Sequence, residues 1–106
     1  MRASLPLGLL VAAALGASSA GAAVRSYTIV IDKMRYGPVP AGLHAGDVIV
    51  WTNRDLFRHT ATARDRSFDV DLPAGASKRI TVARAGTFAF YCRFHPGMTG
   101  QLIVAR

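Results

Sequence analysis

Four side chains in this sequence have the types and the spacing to bind one metal ion. Cys92, His95 and Met98 lie in the segment YCRFHPGM, separated by two-residue gaps, and Cys92 is the only cysteine of the chain. His59 lies upstream, on a different segment. Thiolate and thioether sulfur are soft ligands, and two imidazoles with a thiolate and a weak axial thioether suit copper in electron transfer. The spacing therefore predicts a metal site for which copper is the best match.

Other metals match these side chains less well. Structural zinc sites have more cysteines, and catalytic zinc sites keep a water position and have no use for methionine. Iron–sulfur clusters need several thiolates, whereas this chain offers one. Taken alone, Cys92 would be a small buried hydrophobe and Met98 a filler of the core. The joint spacing of the four residues favours the metal site over these separate structural roles.

The rest of the chain predicts a scaffold of strands. Short strand-forming runs alternate with turn residues at fairly even intervals, which is typical of an all-β sandwich or barrel. No segment after the first 23 residues has a helical period with caps. We expect about seven to eight strands. Seven of them correspond to SYTIVID, DVIVWTN, HTATA, FDVDL, SKRITV, GTFAFYC and GQLIVAR.

The alternation of side chains along these strands predicts where the candidate ligands point. In TFAFYC the residues Phe88, Phe90 and Cys92 share one face, and the bulky aromatic rings must face the core. Cys92 therefore points inward at the end of a core strand. His59 opens another strand. A sandwich can bring two such strand ends together at one pole. Trp51, on VIVWTN, is expected to lie in the core.

The first 23 residues have the composition of a Sec-type secretory signal peptide. Arg2 precedes an apolar run shorter than the ~20 residues that span a bilayer, and small residues with an A-x-A pattern follow. We expect cleavage near Ala22 or Ala23, leaving a domain of residues 24–106 in the periplasm or outside the cell. A lone cysteine in such an oxidising compartment is buried and inert, bonded between chains, or protected as a metal ligand.

The chain is strongly basic, with 13 Lys and Arg against 6 Asp and a formal net charge of +7. This charge favours acidic partners or anionic membrane surfaces through long-range attraction, or it reflects composition alone. Arg54, Arg58 and Arg93 flank the predicted ligands and could form a basic rim around the metal. A solvated charged surface is the alternative interpretation of the same three residues.

Taken together, these segments resemble the cupredoxins, the small blue copper proteins. The resemblance covers nearly all of residues 24–106 and is carried by KMRYGPVPAGLHAGDVIVWTN, RHTAT and GTFAFYCRFHPGMTGQLIV. The two-residue gaps between Cys92, His95 and Met98 are similar to the short ligand loop of the amicyanins, whereas plastocyanins place the last ligand further away. The amicyanin and plastocyanin-like group is therefore the closest part of the family.

This resemblance implies the fold and the site. The fold would be a Greek-key β-sandwich with a copper site at one pole. One type 1 copper ion would be bound by His59, Cys92, His95 and Met98, and Asn53 would brace the ligand loop and form a hydrogen bond near the thiolate. His44 matches no position of the motif and is expected to be a surface histidine.

The resemblance also implies a function, that of a monomeric electron carrier rather than an enzyme. Its partners would be redox proteins such as a cytochrome c or a periplasmic dehydrogenase, with no nucleic acid and no membrane span in the mature form. Acidic partners would suit the basic rim. Docking would use an apolar patch around His95, for which the candidates are Pro96, Gly97, Phe94, Pro38 and Pro40. The alternative is a periplasmic copper-binding protein for storage, delivery or sensing.

Overall fold

The computed structural model describes residues 23–106, which form nine strands and no helix. The predicted signal peptide, residues 1–23, lies outside the described residues apart from Ala23, so the boundary at residue 24 stays a prediction. No helix of residues 23–106 has the length and apolarity to cross a membrane. The strands are β1 (Ser26–Asp32), β2 (Arg35–Tyr36), β3 (Leu43–His44), β4 (Val48–Asn53), β5 (His59–Ala63), β6 (Asp69–Leu72), β7 (Ser77–Thr81), β8 (Gly86–Tyr91) and β9 (Thr99–Ala105).

The strands form two sheets that face each other across one core. The first has the order β2-β1-β4-β7 and the second the order β3-β9-β8-β5-β6. Strands β1 and β4 pair in parallel, whereas β5, β6, β8 and β9 form antiparallel ladders. The predicted all-β Greek-key sandwich is confirmed. The structure has nine strands rather than about seven to eight, because β2 and β3 have two residues each and are too short to show alternation.

Aromatic side chains pack against β8, the strand that leads to Cys92. The fully buried ring of Phe90 packs edge-on against Trp51 and Tyr36, with ring centroids 5.2 and 4.8 Å apart. Trp51 has no exposed surface, which confirms its predicted place in the core. Gly100 faces Phe90 across the β8–β9 ladder, and a Cβ there would collide with the ring. Phe90 is thereby fixed two residues before Cys92.

A buried carboxylate ties the start of β1 to the segment between β3 and β4. Asp47 is 4% exposed and accepts hydrogen bonds from the backbone N–H of His44 (2.8 Å) and of Arg25 (3.0 Å). The bond from His44, followed by that from Arg25, lowers the pKa of Asp47 below its ordinary value. The ionised carboxylate is therefore the form that the fold stabilises.

Replacing Asp47 by asparagine is expected to destabilise the copper-free protein at neutral pH and to have little effect in acid. Because the folded pKa is lowered, the stability from Asp47 is present above the unfolded pKa of about 3.9 and is lost as pH falls through the folded value. The difference in urea midpoint between the wild type and D47N should be complete above about pH 5 and should shrink below about pH 4. A difference that stays constant down to pH 3 would contradict this role.

Candidate metal centre

The pairing of β5 with β8 brings the first two predicted ligands together. The ladder joins Thr62 to Tyr91 and Ala63 to Phe90, so the start of β5 and the end of β8 lie at the same pole. His59 is the first residue of β5, and Cys92 follows β8 directly. Both side chains are completely buried. The strand ends therefore meet where the alternation pattern predicted.

The ligand atoms lie at distances that one metal ion would bridge. Cys92 Sγ is 3.7 Å from His59 Nδ1 and 3.7 Å from His95 Nδ1, and the three ligand atoms all lie within 4.8 Å of one another. In a trigonal arrangement, metal–sulfur and metal–nitrogen bonds of ~2.3 and ~2.0 Å separate sulfur from nitrogen by ~3.7 Å. Among residues 23–106 no other cluster of three such side chains is present.

The loop from Cys92 to Met98 is closed by its own backbone. The N–H of Cys92 donates to the carbonyl oxygen of Met98 (3.1 Å), and the N–H of Met98 donates to that of His95 (2.9 Å). A third bond, from Arg93 N–H to Thr60 Oγ1 (2.9 Å), fastens the loop to β5. Met98 is 7% exposed and belongs to the same apolar cluster as Cys92. These bonds give the loop a defined shape with three predicted ligands on it.

The sulfur of Cys92 accepts a backbone hydrogen bond and lies beside the other predicted ligands. The backbone N–H of Thr60 donates to Sγ at 3.4 Å, and Cys92 forms no disulfide. With two imidazoles and a thioether beside it, this donor set fits copper. The residues His59, Cys92, His95 and Met98 are positioned to bind one copper ion.

Asp55 is a residue of the site that the sequence did not reveal. Its Oδ2 lies 2.8 Å from His59 Nε2, and its carboxylate also accepts the backbone N–H groups of Lys33 (2.7 Å) and Met34 (2.9 Å). Burial raises the pKa of Asp55, but the bonds from Met34, His59 and Lys33 together hold the pKa below its ordinary value. An ionised Asp55 accepts the Nε2 proton of His59, which leaves the Nδ1 lone pair facing Cys92.

Asn53 holds the segment that precedes His59. Its Nδ2 donates to the carbonyl oxygens of Phe57 (2.7 Å) and Leu72 (2.9 Å), and its Oδ1 accepts the N–H of Asp55 (2.8 Å). The described hydrogen bond to Cys92 Sγ comes from Thr60 instead. Asn53 thus fixes the 53–58 segment, which carries Asp55, rather than contacting the sulfur itself.

Exposed apolar side chains lie on the segment before His59 and next to His95 in the ligand loop. Leu56 is 91% exposed, Phe57 59% and Phe94 48%, and the ring of Phe57 lies 6.4 Å from that of His95. His95 itself is only partly buried, in contrast to His59. The sequence had suggested Phe94 for such a patch but not Leu56 or Phe57. The sequence signal was the apolar pair in DLFRH, which is separated from the predicted ligand His59 by one residue.

His44 lies away from this cluster. It is an exposed residue of β3, and its Nδ1 lies 2.9 Å from the carbonyl oxygen of Gly42. The basic residues at the metal pole are partly paired, since Arg58 binds Asp71 through two nitrogens and Arg93 Nε lies 3.2 Å from Asp69.

Comparison with known proteins agrees with this geometry. Residues 6–104 match the family described as the cupredoxin-like domain. The chain belongs to the cupredoxin-like family. It is 29% identical over 93 residues to amicyanin of Paracoccus denitrificans, covering 80% of this chain and 71% of that protein. It is 28% identical over 80 residues to amicyanin of Paracoccus versutus, covering 70% of this chain and 61% of that protein.

The same likeness is found among solved structures. A reduced Cu(I) form of a substituted amicyanin at pH 4 superposes with a TM-score of 0.64 and 25% identity, covering 81% of this chain and 85% of the other. The predicted resemblance to a cupredoxin close to amicyanin is thereby confirmed. The chain spans less than two thirds of the length of the P. versutus relative.

Proposed function

We propose that this cupredoxin is an exported carrier of single electrons in which His59, Cys92, His95 and Met98 would hold one copper ion. The observation that carries the proposal is the cluster in which Cys92 Sγ lies 3.7 Å from Nδ1 of each histidine, with Cys92 and His59 fully buried. When bound, copper would supply a couple between Cu(II) and Cu(I), which a mixed set of imidazole, thiolate and thioether accommodates in both states.

The protein's own contribution is to hold the ligands still. The strand β8 and the N–H of Thr60 fix Cys92, and Asp55 fixes the ring of His59 and the position of its proton. The closed backbone of the 92–98 loop holds His95 and Met98. A site that is already shaped for the metal has little to rearrange when an electron arrives or leaves, and this lowers the barrier to transfer.

Electrons would enter and leave at the His95 end. His95 is the ligand with exposed surface, and Leu56, Phe57 and Phe94 form an apolar patch beside it. Redox encounters use small interfaces so that partners separate quickly. The partner would be another redox protein, such as a cytochrome c or a periplasmic dehydrogenase.

Export and the domain boundary belong to the same proposal. The composition of residues 1–23, with Arg2 ahead of an apolar run, supports a signal peptide and a mature domain of residues 24–106. A lone cysteine in an oxidising compartment needs protection, which a bound metal and complete burial would give Cys92. A monomer without enzymatic activity is consistent with this role.

The test is to add Cu(II) to the mature protein and follow its visible spectrum during a redox titration. We expect one copper per chain, an intense blue band, and complete bleaching by one electron equivalent. A weak spectrum, or copper that passes within seconds to a chelator, would contradict the carrier and favour storage or delivery. The complete burial of Cys92 and His59 is unlike the exposed ligands that rapid exchange requires.

A further inference from the structure

The turn between β5 and β6 carries two arginines whose charge is not offset by an ion pair. Arg58 and Arg93 at the metal pole face Asp71 and Asp69, whereas no acidic side chain of residues 23–106 pairs with Arg64 or Arg66. Asp65, between them, is turned elsewhere, since its carboxylate accepts the N–H of Ser67 and pairs with Arg84. Two exposed arginines without an acidic partner therefore extend from one turn.

The backbone of this turn is held in one conformation. The N–H of Arg66 donates to the carbonyl oxygen of Ala63 (3.0 Å), and the N–H of Ala63 donates to that of Phe68 (2.9 Å). Arg64 N–H donates to the carbonyl oxygen of Ala89 (2.9 Å), which ties the turn to β8. A fixed backbone lowers the conformational entropy that the turn itself loses on binding.

Arg64 and Arg66 line a surface groove of about 450 Å³ together with Arg93. The Arg64 guanidinium lies 4.5 Å from the centre of the Tyr91 ring, which supports it by a cation–π contact. The one carboxylate in the groove, that of Asp69, is engaged by Thr62 Oγ1 (2.7 Å) and by Arg93 Nε (3.2 Å). Three guanidinium groups against one carboxylate give the groove a net positive charge. Its lining is Thr62, Ala63, Arg64, Arg66, Asp69, Tyr91 and Arg93.

The groove lies directly beside the ligand loop. Tyr91 precedes Cys92 and Arg93 follows it. A chain of hydrogen bonds connects the two sites, because the N–H of Arg93 donates to Thr60 Oγ1, Thr60 Oγ1 lies 2.8 Å from Thr62 Oγ1, and Thr62 donates to Asp69. A protein bound in the groove would therefore also reach the pole that carries His95.

We propose that this arginine groove, defined by Arg64, Arg66 and Arg93 with Tyr91, is the docking site for an acidic segment of the redox partner. The proposal rests on the proposed carrier function and adds the chemistry of the partner. Guanidinium groups pair with carboxylates through two parallel hydrogen bonds, which fixes orientation as well as adding affinity. The two free guanidinium groups suit a short segment with two or more Asp or Glu side chains, and the apolar patch near His95 remains available for close contact.

The test uses hexaglutamate as the probe and follows the backbone amides of the isotope-labelled mature protein by NMR at low salt. We expect shifts confined to residues 62–66 and 91–93 and a binding constant in the millimolar range. The double variant R64A/R66A should weaken binding by about tenfold or more, because it removes two charge-assisted contacts. R79A is the matched control for charge, since Arg79 is exposed on β7 in the opposite sheet.

Three results would contradict the proposal that the arginine groove is a docking site. They are shifts spread evenly over the basic surface, an equal loss of affinity per charge in R79A, and binding of inorganic phosphate as tight as that of hexaglutamate at the same ionic strength. The blue spectrum of each copper-loaded sample reports on the metal site independently. A protein that binds hexaglutamate at residues 62–66 but shows no blue band would refute the carrier function and not the groove, and the reverse result would refute the groove alone.

Discussion

Replacing Cys92 by serine is expected to abolish the intense blue absorption of the copper-loaded protein completely. The band of a blue copper site belongs to the thiolate bond, and a hydroxyl cannot replace it as a soft, ionised ligand. The copper-free variant should remain folded, because the serine side chain is similar in shape. Cys92 Sγ accepts a hydrogen bond from the N–H of Thr60 at 3.4 Å, and the serine hydroxyl could accept the same bond. Visible spectra and urea unfolding of the copper-free proteins measure the two effects separately.

A histidine outside the cluster provides the control for this experiment. His44 is exposed on β3 and is not part of the His59, Cys92 and His95 cluster, so H44A should keep the full band. Copper should raise the melting temperature of the wild type, since a ligand that binds only the folded state stabilises it by mass action. A blue band that survives in C92S, or disappears in H44A, would show that copper is bound elsewhere.

Local alternation was sufficient to predict most of the strands and the direction of Cys92. In the six-residue and seven-residue strands one face is buried, so their side chains repeat with period 2 and the pattern can be read from the sequence. β2 and β3 were missed because two residues cannot show a period. Their pairing partners, β1 and β9, are determined by tertiary contacts.

The site was predicted less completely than the fold because its supporting contacts are not local in sequence. The ligands could be found from their types and spacing, since a metal needs those side chains wherever they lie. Asp55 could not, because its carboxylate contacts the β1–β2 turn at Lys33 and Met34, more than 20 residues away. The pairing of Arg58 with Asp71 likewise depends on the β5–β6 ladder, and a count of charges in the sequence does not show which charges pair.

Replacing Asp55 by asparagine is expected to weaken copper binding by 10–100-fold, roughly the loss measured when a carboxylate behind a metal-bound histidine is removed. An amide offers one oxygen, so it cannot accept the protons of His59 Nε2, Lys33 N and Met34 N together, as the carboxylate does. Its NH₂ group would face at least one of these donors. The contact that orients the His59 ring and directs Nδ1 towards the metal is weakened, because a neutral amide oxygen is a weaker acceptor than a carboxylate. Competition for copper with a chelator of known affinity measures the change.

A loss of folding stability alone would not produce this result, and Asp32 allows the two effects to be separated. Asp32 accepts the same Lys33 N–H (3.0 Å) from the same turn but makes no described contact with His59. D32N therefore removes one negative charge and alters the turn, whereas D55N also alters the contact that orients the ring of His59. We expect both variants to unfold at lower urea concentration, because each loses a hydrogen bond of the β1–β2 turn, but only D55N to lose copper affinity. Equal copper affinity in D55N and D32N would mean that Asp55 supports the turn and does not position the metal ligand.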